Sequence, residues 1–336
     1  MSRPVTGATS GTATESVSSR IQADPKRTRS SHESRGAPAA HRGRRPARRE
    51  AAFGYGMAAL SLLAVLVFTA GPIVASFVLA FFRWDAIRSP QFVGLQNFRT
   101  LAHDHTVMHS LEVTVLIAVL IVALQITLGL GLALLVAQRA SRAVRGIFRT
   151  AYFLPLLASA ASISIVMSYL FDDHFGVINY YLNHLGLPTV PWLGSEHGAT
   201  ATIVLVAVWQ QLGFTFILFV AALGALPVDV LEAAAVDGSS AVRTFFSVKL
   251  PLISPTVLFA SVVGLINAMQ LFDQPYVMTK GGPGTSTQTA VLLIYQTAFQ
   301  NLQFGYASAI SVLLFVILLL VTGLQFLISR KWVFYS

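Results

Sequence analysis

Six long apolar segments constrain this chain more than any other feature of its sequence. They cover approximately residues 53–82, 111–137, 150–171, 201–223, 256–272 and 306–329. Each reaches or nearly reaches the roughly 20 residues that a helix needs to cross the hydrocarbon layer of a bilayer. Helices are expected because hydrocarbon satisfies no backbone hydrogen bond. The sequence therefore predicts an all-α integral membrane protein with six transmembrane helices.

The overall composition agrees with a largely lipid-facing surface. Hydrophobic residues make up 54% of the chain and charged residues 11%, against roughly 25% charged residues in a typical soluble domain. The chain contains no cysteine, which excludes disulfides, thiolate metal sites and a cysteine nucleophile.

The basic residues are placed as a topology signal. The formal net charge is +9, and nearly half of the Lys and Arg residues precede residue 50. Most of the others lie at the ends of apolar segments, which disfavours a nucleic-acid-binding face. Residues 1–50 contain almost no large apolar side chains, so they are predicted to form a disordered cytoplasmic tail. The basic block at 41–49 would anchor the topology or attract anionic lipid headgroups, and residues 51–336 would form the membrane domain.

The connections between segments alternate in charge. The connection at 138–149 carries four arginines, the connection at 224–255 carries Arg243 and Lys249, and Arg330-Lys331 follow the last segment. By contrast, residues 172–200 contain no Lys or Arg, and residues 273–305 contain only Lys280. The first external loop, with Arg83, Arg88 and Arg99, departs from this pattern. Even so, the alternation predicts a multi-pass protein of the cell membrane with both termini in the cytoplasm. The first segment exceeds the roughly 7–15-residue core of a signal peptide, so it is expected to remain as a span.

The cytoplasmic loop at 226–255, between spans four and five, has the sequence signals of a helix-turn-helix. A run of helix formers begins at Glu232, and Gly238 is a plausible terminator of that helix. Ser239 or Ser240 can cap a second short helix, which Pro251 would end. From the residues alone, an interfacial amphipathic turn is an equal alternative.

The same loop resembles the EAA loop of binding-protein-dependent ABC importer permeases. Glu232-Ala233-Ala234 is followed after three residues by Gly238, then after nine by an aliphatic residue and, one residue later, Leu250-Pro251. The segment 273–284, with Gly-Gly-Pro at 281–283, is similar to the carbohydrate branch of that family, although Met278 stands where a leucine is common. The resemblance covers about residues 53–335.

The resemblance implies a coupling loop that docks on a separate ATPase subunit. Glu232 would contact the ATPase, Gly238 would permit the turn, and the Phe245-Phe246 pair would pack at the docking surface. The residues assigned to this loop are Glu232, Ala233, Ala234, Asp237, Gly238, Phe245, Phe246, Leu250 and Pro251. The implied partners are a second homologous permease, an ATPase dimer that binds ATP and Mg²⁺, and an extracytoplasmic solute-binding protein. No cofactor is expected in this chain, because residues 281–284 lack the Lys-Ser/Thr of a phosphate loop.

Polar residues inside spans four and five predict a substrate pathway. Intramembrane amides are costly and favour a functional role, although they also serve as hydrogen bonds between packed helices. In span five the amides have i, i+3, i+7 spacing, which would place them on one helix face. The predicted residues are Gln210, Gln211, Phe214, Asn267, Gln270 and Gln274, with Gln125 in span two a weaker candidate.

The lack of Lys or Arg in those two spans favours a neutral di- or oligosaccharide, because an anionic solute would benefit from a buried cation. The same machine carrying glycerol 3-phosphate or a related polyol is the alternative. A secondary transporter is less favoured, because it would usually need a buried carboxylate relay. No catalytic residue and no metal site are expected. Two clusters, Asp172-Asp173-His174 and His103, His105 and His109, are interpreted as solvated external loops.

Overall fold

The computed structural model describes residues 48–139 and 142–334. Residues 1–47 of the predicted cytoplasmic tail lie outside the described residues, and the first helix begins at Arg48. The described residues divide into two units, one that ends at Ala59 and one that begins at Leu60. The described part of the first unit, residues 48–59, lies within a single helix.

The described residues are mostly helical, with one two-stranded antiparallel hairpin. In that hairpin Phe82 pairs with Phe92 and Arg83 with Gln91. The elements are α1 Arg48–Val65, α2 Gly71–Leu79, β1 Phe82–Arg83, β2 Gln91–Phe92, α3 Gln96–Leu101, α4 His105–Arg139, α5 Arg142–Leu157, α6 Ala160–Leu170, α7 Val177–His184, α8 Glu196–Gly224, α9 Val228–Val236, α10 Ala241–Thr244, α11 Leu250–Leu252, α12 Ser254–Met269, α13 Ala290–Tyr295 and α14 Phe304–Ser329.

Within the described residues, four continuous helical segments are long and apolar enough to cross a membrane. They are Phe53–Leu79, His105–Val136, Glu196–Gly224 and Phe304–Ser329, and they correspond to predicted spans one, two, four and six. Two bent helix pairs raise the number to six if each pair forms one span. The multi-pass architecture follows from either count.

The third and fifth predicted spans are not straight helices. At the third, α5 and α6 meet at 106° across Ala158 and Ser159. Pro155 lies one turn before this break, but a proline disturbs the turn that precedes it, so Pro155 does not by itself account for a break at residues 158 and 159. At the fifth, α10 to α11 and α12 meet at 68°. The expectation that Pro251 ends the second loop helix is therefore wrong, because the helical path continues through Pro251 to Leu252 and bends at Ile253.

Long apolar helices build the core of the unit 60–336. A large cluster joins α4, α8, α12, α13 and α14 around buried residues such as Ile117, Ile203 and Ile310. A second cluster, around Phe216, Phe219 and Ile253, joins α4, α8 and the start of α12. Outside these clusters many large apolar side chains are exposed, including Phe68 and Leu320. Exposed apolar surface on this scale fits helices that are surrounded by lipid or by partner helices.

Candidate functional site

A cavity of about 420 Å³ lies where α8, the end of α12 and the junction of α5 with α6 meet. We call it the central pocket. Its walls include all six residues that the sequence assigned to the substrate pathway: Gln210, Gln211, Phe214, Asn267, Gln270 and Gln274. The structure thus brings together two sets of residues that are more than 50 positions apart in the chain.

The α8 wall combines one buried amide with two accessible side chains. Gln210 is 7% exposed and accepts a hydrogen bond of 2.8 Å from the Nε2 atom of Gln274. Gln211 is half-buried and Phe214 is 38% exposed, and both line the pocket. The α8 wall can therefore present hydrogen-bonding amides and the apolar face of an aromatic ring to a solute.

The α12 wall is not the continuous helix face that the i, i+3, i+7 spacing predicted. The helix ends at Met269, and Gln274 follows a non-helical step at residues 271 and 272. The buried hydroxyl of Thr289 donates a hydrogen bond of 2.9 Å to the Leu271 carbonyl. This bond satisfies a backbone carbonyl at the point where the helix is interrupted. Asn267 and Gln270 remain exposed to the pocket, whereas Gln274 is 2% exposed.

Sequence reasoning assigned six of the twelve residues that line this pocket, and two of the six that it did not assign carry an aromatic ring or a carboxylate. Phe272 and Asp273 both line it, and the Phe272 ring stacks on Tyr276 with centroids 5.1 Å apart and planes 13° apart. The i, i+4 spacing of the two aromatic residues is the signal that could have identified Phe272. Within the described residues, neither Lys nor Arg lines the central pocket.

The weaker candidate, Gln125, lies outside the central pocket. Gln125 is buried against α12, where its Oε1 atom would lie 3.2 Å from a Cβ added at Gly264. Its Nε2 atom has no hydrogen-bond partner within the described residues. Gln125 does not line the central pocket, so its position agrees better with helix packing than with solute contact.

The loop at 226–255, which we call the cytoplasmic loop because the sequence predicts that location, begins with a tightly terminated helix. After α9, Gly238 has φ +69°, a conformation that costs other L-residues roughly 1–2 kcal/mol. The Ser239 amide donates to the Ala234 carbonyl and the Gly238 amide to the Ala235 carbonyl, both at 3.1 Å. This is the hydrogen-bond pattern of a Schellman motif. Ser240 then caps α10 by accepting a hydrogen bond of 3.3 Å from the Arg243 amide.

The first helix of this loop buries none of its residues. Glu232, Ala233, Asp237 and Gly238 are exposed, and Val236 is 87% exposed. The remaining assigned residues are Ala234, Phe245, Leu250 and Pro251, which are half-buried, and Phe246, which is 61% exposed. Phe245 packs with the second core cluster while its ring also contacts Phe246 at 4.9 Å between centroids. The loop therefore exposes apolar side chains such as Val236 and Phe246, while Phe245 and Leu250 attach it to the second core cluster.

The acidic loop after α6 has a structural role. The Oδ1 atom of Asp172 accepts hydrogen bonds from the amides of Phe175 and His174, at 2.8 and 2.9 Å. These bonds hold the pKa of Asp172 below its usual range. Asp173 accepts a hydrogen bond from the Leu193 amide at 3.0 Å. Among the described residues, no group of three or more His, Cys, Asp or Glu side chains could hold a metal ion.

Comparisons with known proteins agree on one family. Residues 125–333 match the family described as binding-protein-dependent transport system inner membrane component. The permease UgpA of the sn-glycerol-3-phosphate transport system of Agrobacterium fabrum is 34% identical over 84% of this chain and 96% of that protein. The permease AmyD of a probable starch degradation products transport system of Thermoanaerobacterium thermosulfurigenes is 31% identical over 81% of this chain and 91% of that protein.

A solved structure shares the fold. It is a crystal structure of a bacterial ABC transporter involved in the import of the acidic polysaccharide alginate, and it matches with a TM-score of 0.73. The match covers 84% of this chain and 96% of that chain, at 21% sequence identity.

Proposed function

Because this chain belongs to the carbohydrate-uptake branch of the binding-protein-dependent transport system inner membrane components, we propose that it is the permease subunit of an ATP-driven importer for a neutral di- or oligosaccharide. Its termini would lie in the cytoplasm. A second homologous permease would complete the pathway, an ATPase dimer would bind ATP and Mg²⁺, and an extracytoplasmic binding protein would deliver the solute.

The composition of the central pocket supports a carbohydrate cargo. Gln211, Asn267 and Gln270 can donate to and accept from hydroxyl groups. The accessible ring of Phe214 supplies an apolar surface of the kind that packs against a sugar ring. The absence of Lys and Arg from the pocket walls, within the part of the chain that the structure describes, favours a neutral solute over a phosphate ester.

The position of the cytoplasmic loop supports ATP coupling. The loop joins the end of α8 to the start of α12, and these two helices form two walls of the central pocket. Gln211 and Asn267 each lie about 20 Å along their helices from the loop, at 1.5 Å per residue. Displacement of the loop by a closing ATPase dimer would move both walls together and turn the pocket from one side of the membrane to the other.

The experiment is uptake by the complex reconstituted in vesicles with its partner subunits. ATP-dependent uptake of labelled glucose, maltose, maltotriose and raffinose is compared with uptake of glycerol 3-phosphate. We expect uptake of at least one sugar, and a several-fold loss of that uptake in Asn267→Ala. Asn183→Ala, an exposed amide change on α7, is the matched control and should transport normally.

Two outcomes would change the assignment. Efficient uptake of glycerol 3-phosphate without uptake of any sugar would favour the alternative cargo, to which the 34% identity with UgpA already gives some support. Uptake that proceeds without ATP would contradict the importer mechanism itself.

A further inference from the structure

A second cavity, of about 540 Å³, lies beside the β1–β2 hairpin, between the loop that joins its two strands and the start of α14. We call it the outer cavity. On the predicted topology it faces the extracytoplasmic side. Its walls combine an indole ring, Trp84, with side chains that carry planar polar groups: Arg83, Asp85, Arg88, Gln91 and Gln303. Asp85 and Arg88 approach each other at 3.9 Å, so charges of both signs are present.

The walls of the outer cavity are held by contacts between distant parts of the chain. The Tyr306 hydroxyl donates a hydrogen bond of 2.7 Å to the Oδ2 atom of Asp104. The side chain of Asn97 donates to the Ala80 and Phe82 carbonyls at 2.8 and 2.9 Å. A Cβ added at Gly305 would run into the Phe82 carbonyl, so α14 approaches the hairpin as closely as its backbone allows. The cavity is therefore built by tertiary structure rather than by one mobile loop.

Several polar side chains of the outer cavity have donors or acceptors that make no hydrogen bond within the described residues. Within the described residues, the side chains of Gln91 and Gln303 make no hydrogen bond, and both are exposed. The single hydrogen bond of the Arg83 side chain, at 3.3 Å to Gln96, leaves most of its five donors available. An accessible indole among unused amide and guanidinium groups matches the apolar faces and the hydroxyl edges of a sugar.

A series of aromatic rings connects the two cavities. Beginning at the outer cavity, successive centroids are 5.5, 5.6, 5.4, 5.1 and 5.1 Å apart. None of these rings is fully buried, and Phe299 is 63% exposed. The last ring lines the central pocket. We call this series the aromatic stripe, and its members are Trp84, Phe304, Phe299, Tyr295, Tyr276 and Phe272.

We propose that the outer cavity is a second carbohydrate subsite, and that the aromatic stripe carries the sugar from it to the central pocket. This inference rests on the proposed carbohydrate transport. The outer subsite binds the sugar before the central pocket opens to it. The stripe then offers partly exposed aromatic rings at intervals of 5.1–5.6 Å, presented as faces and as edges, so that the sugar ring passes between the two cavities without losing all of its contacts at any point.

The absence of cysteine from the natural sequence allows a direct test. Single cysteines are introduced as Gln303→Cys in the outer cavity, Asn267→Cys in the central pocket and Asn183→Cys as an exposed control on α7. The rate of maleimide modification of this chain is measured in the assembled membrane complex before binding protein is added. The probes are glucose, maltose, maltotriose and raffinose, with glycerol 3-phosphate as the anionic comparison.

A transported sugar should slow modification of both Gln303→Cys and Asn267→Cys. At a concentration ten times its Kd the slowing should be about tenfold, because about one tenth of the sites remain open. Asn183→Cys should not respond. Trp84→Ala, combined with Gln303→Cys, should remove the protection, and Trp84→Phe should retain part of it because an aromatic face remains.

The outcomes separate this inference from the proposed function. Sugar protection of Asn267→Cys without protection of Gln303→Cys would overturn the outer subsite and leave the proposed function intact. Protection at neither position in a complex that transports no sugar would overturn both. A third variant, Phe299→Cys, tests the stripe. Modification that is blocked equally with and without sugar would mean that a partner protein covers the ring, and would overturn the proposed route.

Discussion

The cytoplasmic loop and the central pocket are organised on opposite principles. The loop is built from contacts within about ten residues: a run of helix formers, the glycine that terminates their helix and the serine that caps the next helix. It buries none of the residues of α9. The central pocket depends on contacts such as that between Gln210 and Gln274, which are 64 positions apart. A surface made locally can be presented to a partner without a core of its own, whereas a pocket for a solute needs walls from several helices.

Replacement of Gly238 by proline should have the largest effect and should be confined to coupling. Proline fixes φ near −65° and has no amide hydrogen, whereas Gly238 has φ +69° and donates to the Ala235 carbonyl. We expect ATP-dependent uptake to fall at least about tenfold, because proline can neither adopt the left-handed φ of this turn nor donate its hydrogen bond, so the second helix of the loop would be redirected. Co-purification of the ATPase with the permease, measured beside uptake, should fall as well.

Asparagine provides the matched control at this position. Asn adopts the left-handed conformation more readily than other non-glycine residues, and a Cβ at Gly238 would meet nothing within 4 Å. Gly238→Asn should therefore retain most of the uptake. Equal transport by Gly238→Pro and the natural chain would show that the loop does not transmit the ATPase movement.

A smaller effect is expected from the exposed ring at the base of the loop. Phe246→Ala removes a side chain that is 61% exposed, so the thermal stability of the isolated permease should hardly change. If the ring is buried by the ATPase, its loss should weaken ATPase binding by about 2 kcal/mol, the range of a strong interface residue. Titration of detergent-solubilised permease with the ATPase measures this. Phe175→Ala, a change at a highly exposed ring of another loop, should leave the affinity unchanged.

The contrast also explains what the sequence could and could not predict. The loop motif was visible because all its signals lie in one contiguous stretch. Spans one, two, four and six were predicted from apolar length, and each corresponds to a continuous helical segment. The breaks at Ser159 and Ile253 were missed because hydropathy measures the apolarity of a segment and carries no information on its direction. Pro155 indicates an irregular helix in this region, but its effect falls on the preceding turn, so it does not locate the break at Ser159.

The six residues of the predicted substrate pathway line one cavity, but one premise behind their selection was wrong. Intramembrane amides stand out by their cost in hydrocarbon, and all six selected residues line one cavity. Their arrangement was attributed to a continuous helix, which in fact ends at Met269. The hydrogen bond from Gln274 to Gln210 and the participation of Asp273 depend on how α8 and α12 pack. Such long-range pairing leaves no periodic trace in a single sequence.

The buried amide pair should contribute to stability as well as to the pocket. Gln274→Leu leaves the Gln210 side chain buried without its partner, which we expect to cost about 1 kcal/mol, since hydrogen bonds between membrane helices average about 0.6 kcal/mol. Gln210→Leu should cost a similar amount, and the double variant less than the sum of the two. Thermal unfolding of the four proteins in detergent measures the coupling. Strict additivity would mean that the two amides act independently.

The smallest effect concerns Asp104, which lies outside the cytoplasmic loop and the central pocket and makes a long-range hydrogen bond with Tyr306. Burial raises the pKa of this carboxyl, but hydrogen bonds from the Tyr306 hydroxyl and from the Thr106 and Val107 amides outweigh it, so its pKa lies below the ordinary value. A lowered folded-state pKa gives a stabilisation that is present above the unfolded pKa, about 3.9 for Asp. It is lost as the pH falls through the folded value.

Asp104→Asn should therefore lower the unfolding temperature slightly at pH 7, and the difference from the natural chain should shrink as the pH falls below about 4. Tyr306→Phe should reproduce part of the loss at pH 7, because it removes one of the three hydrogen bonds to the carboxylate. Neither change alters the cytoplasmic loop, so co-purification with the ATPase should stay normal. A stability difference that grows with falling pH would contradict the assigned role of the carboxylate, since the charged form is the one that the hydrogen bonds stabilise.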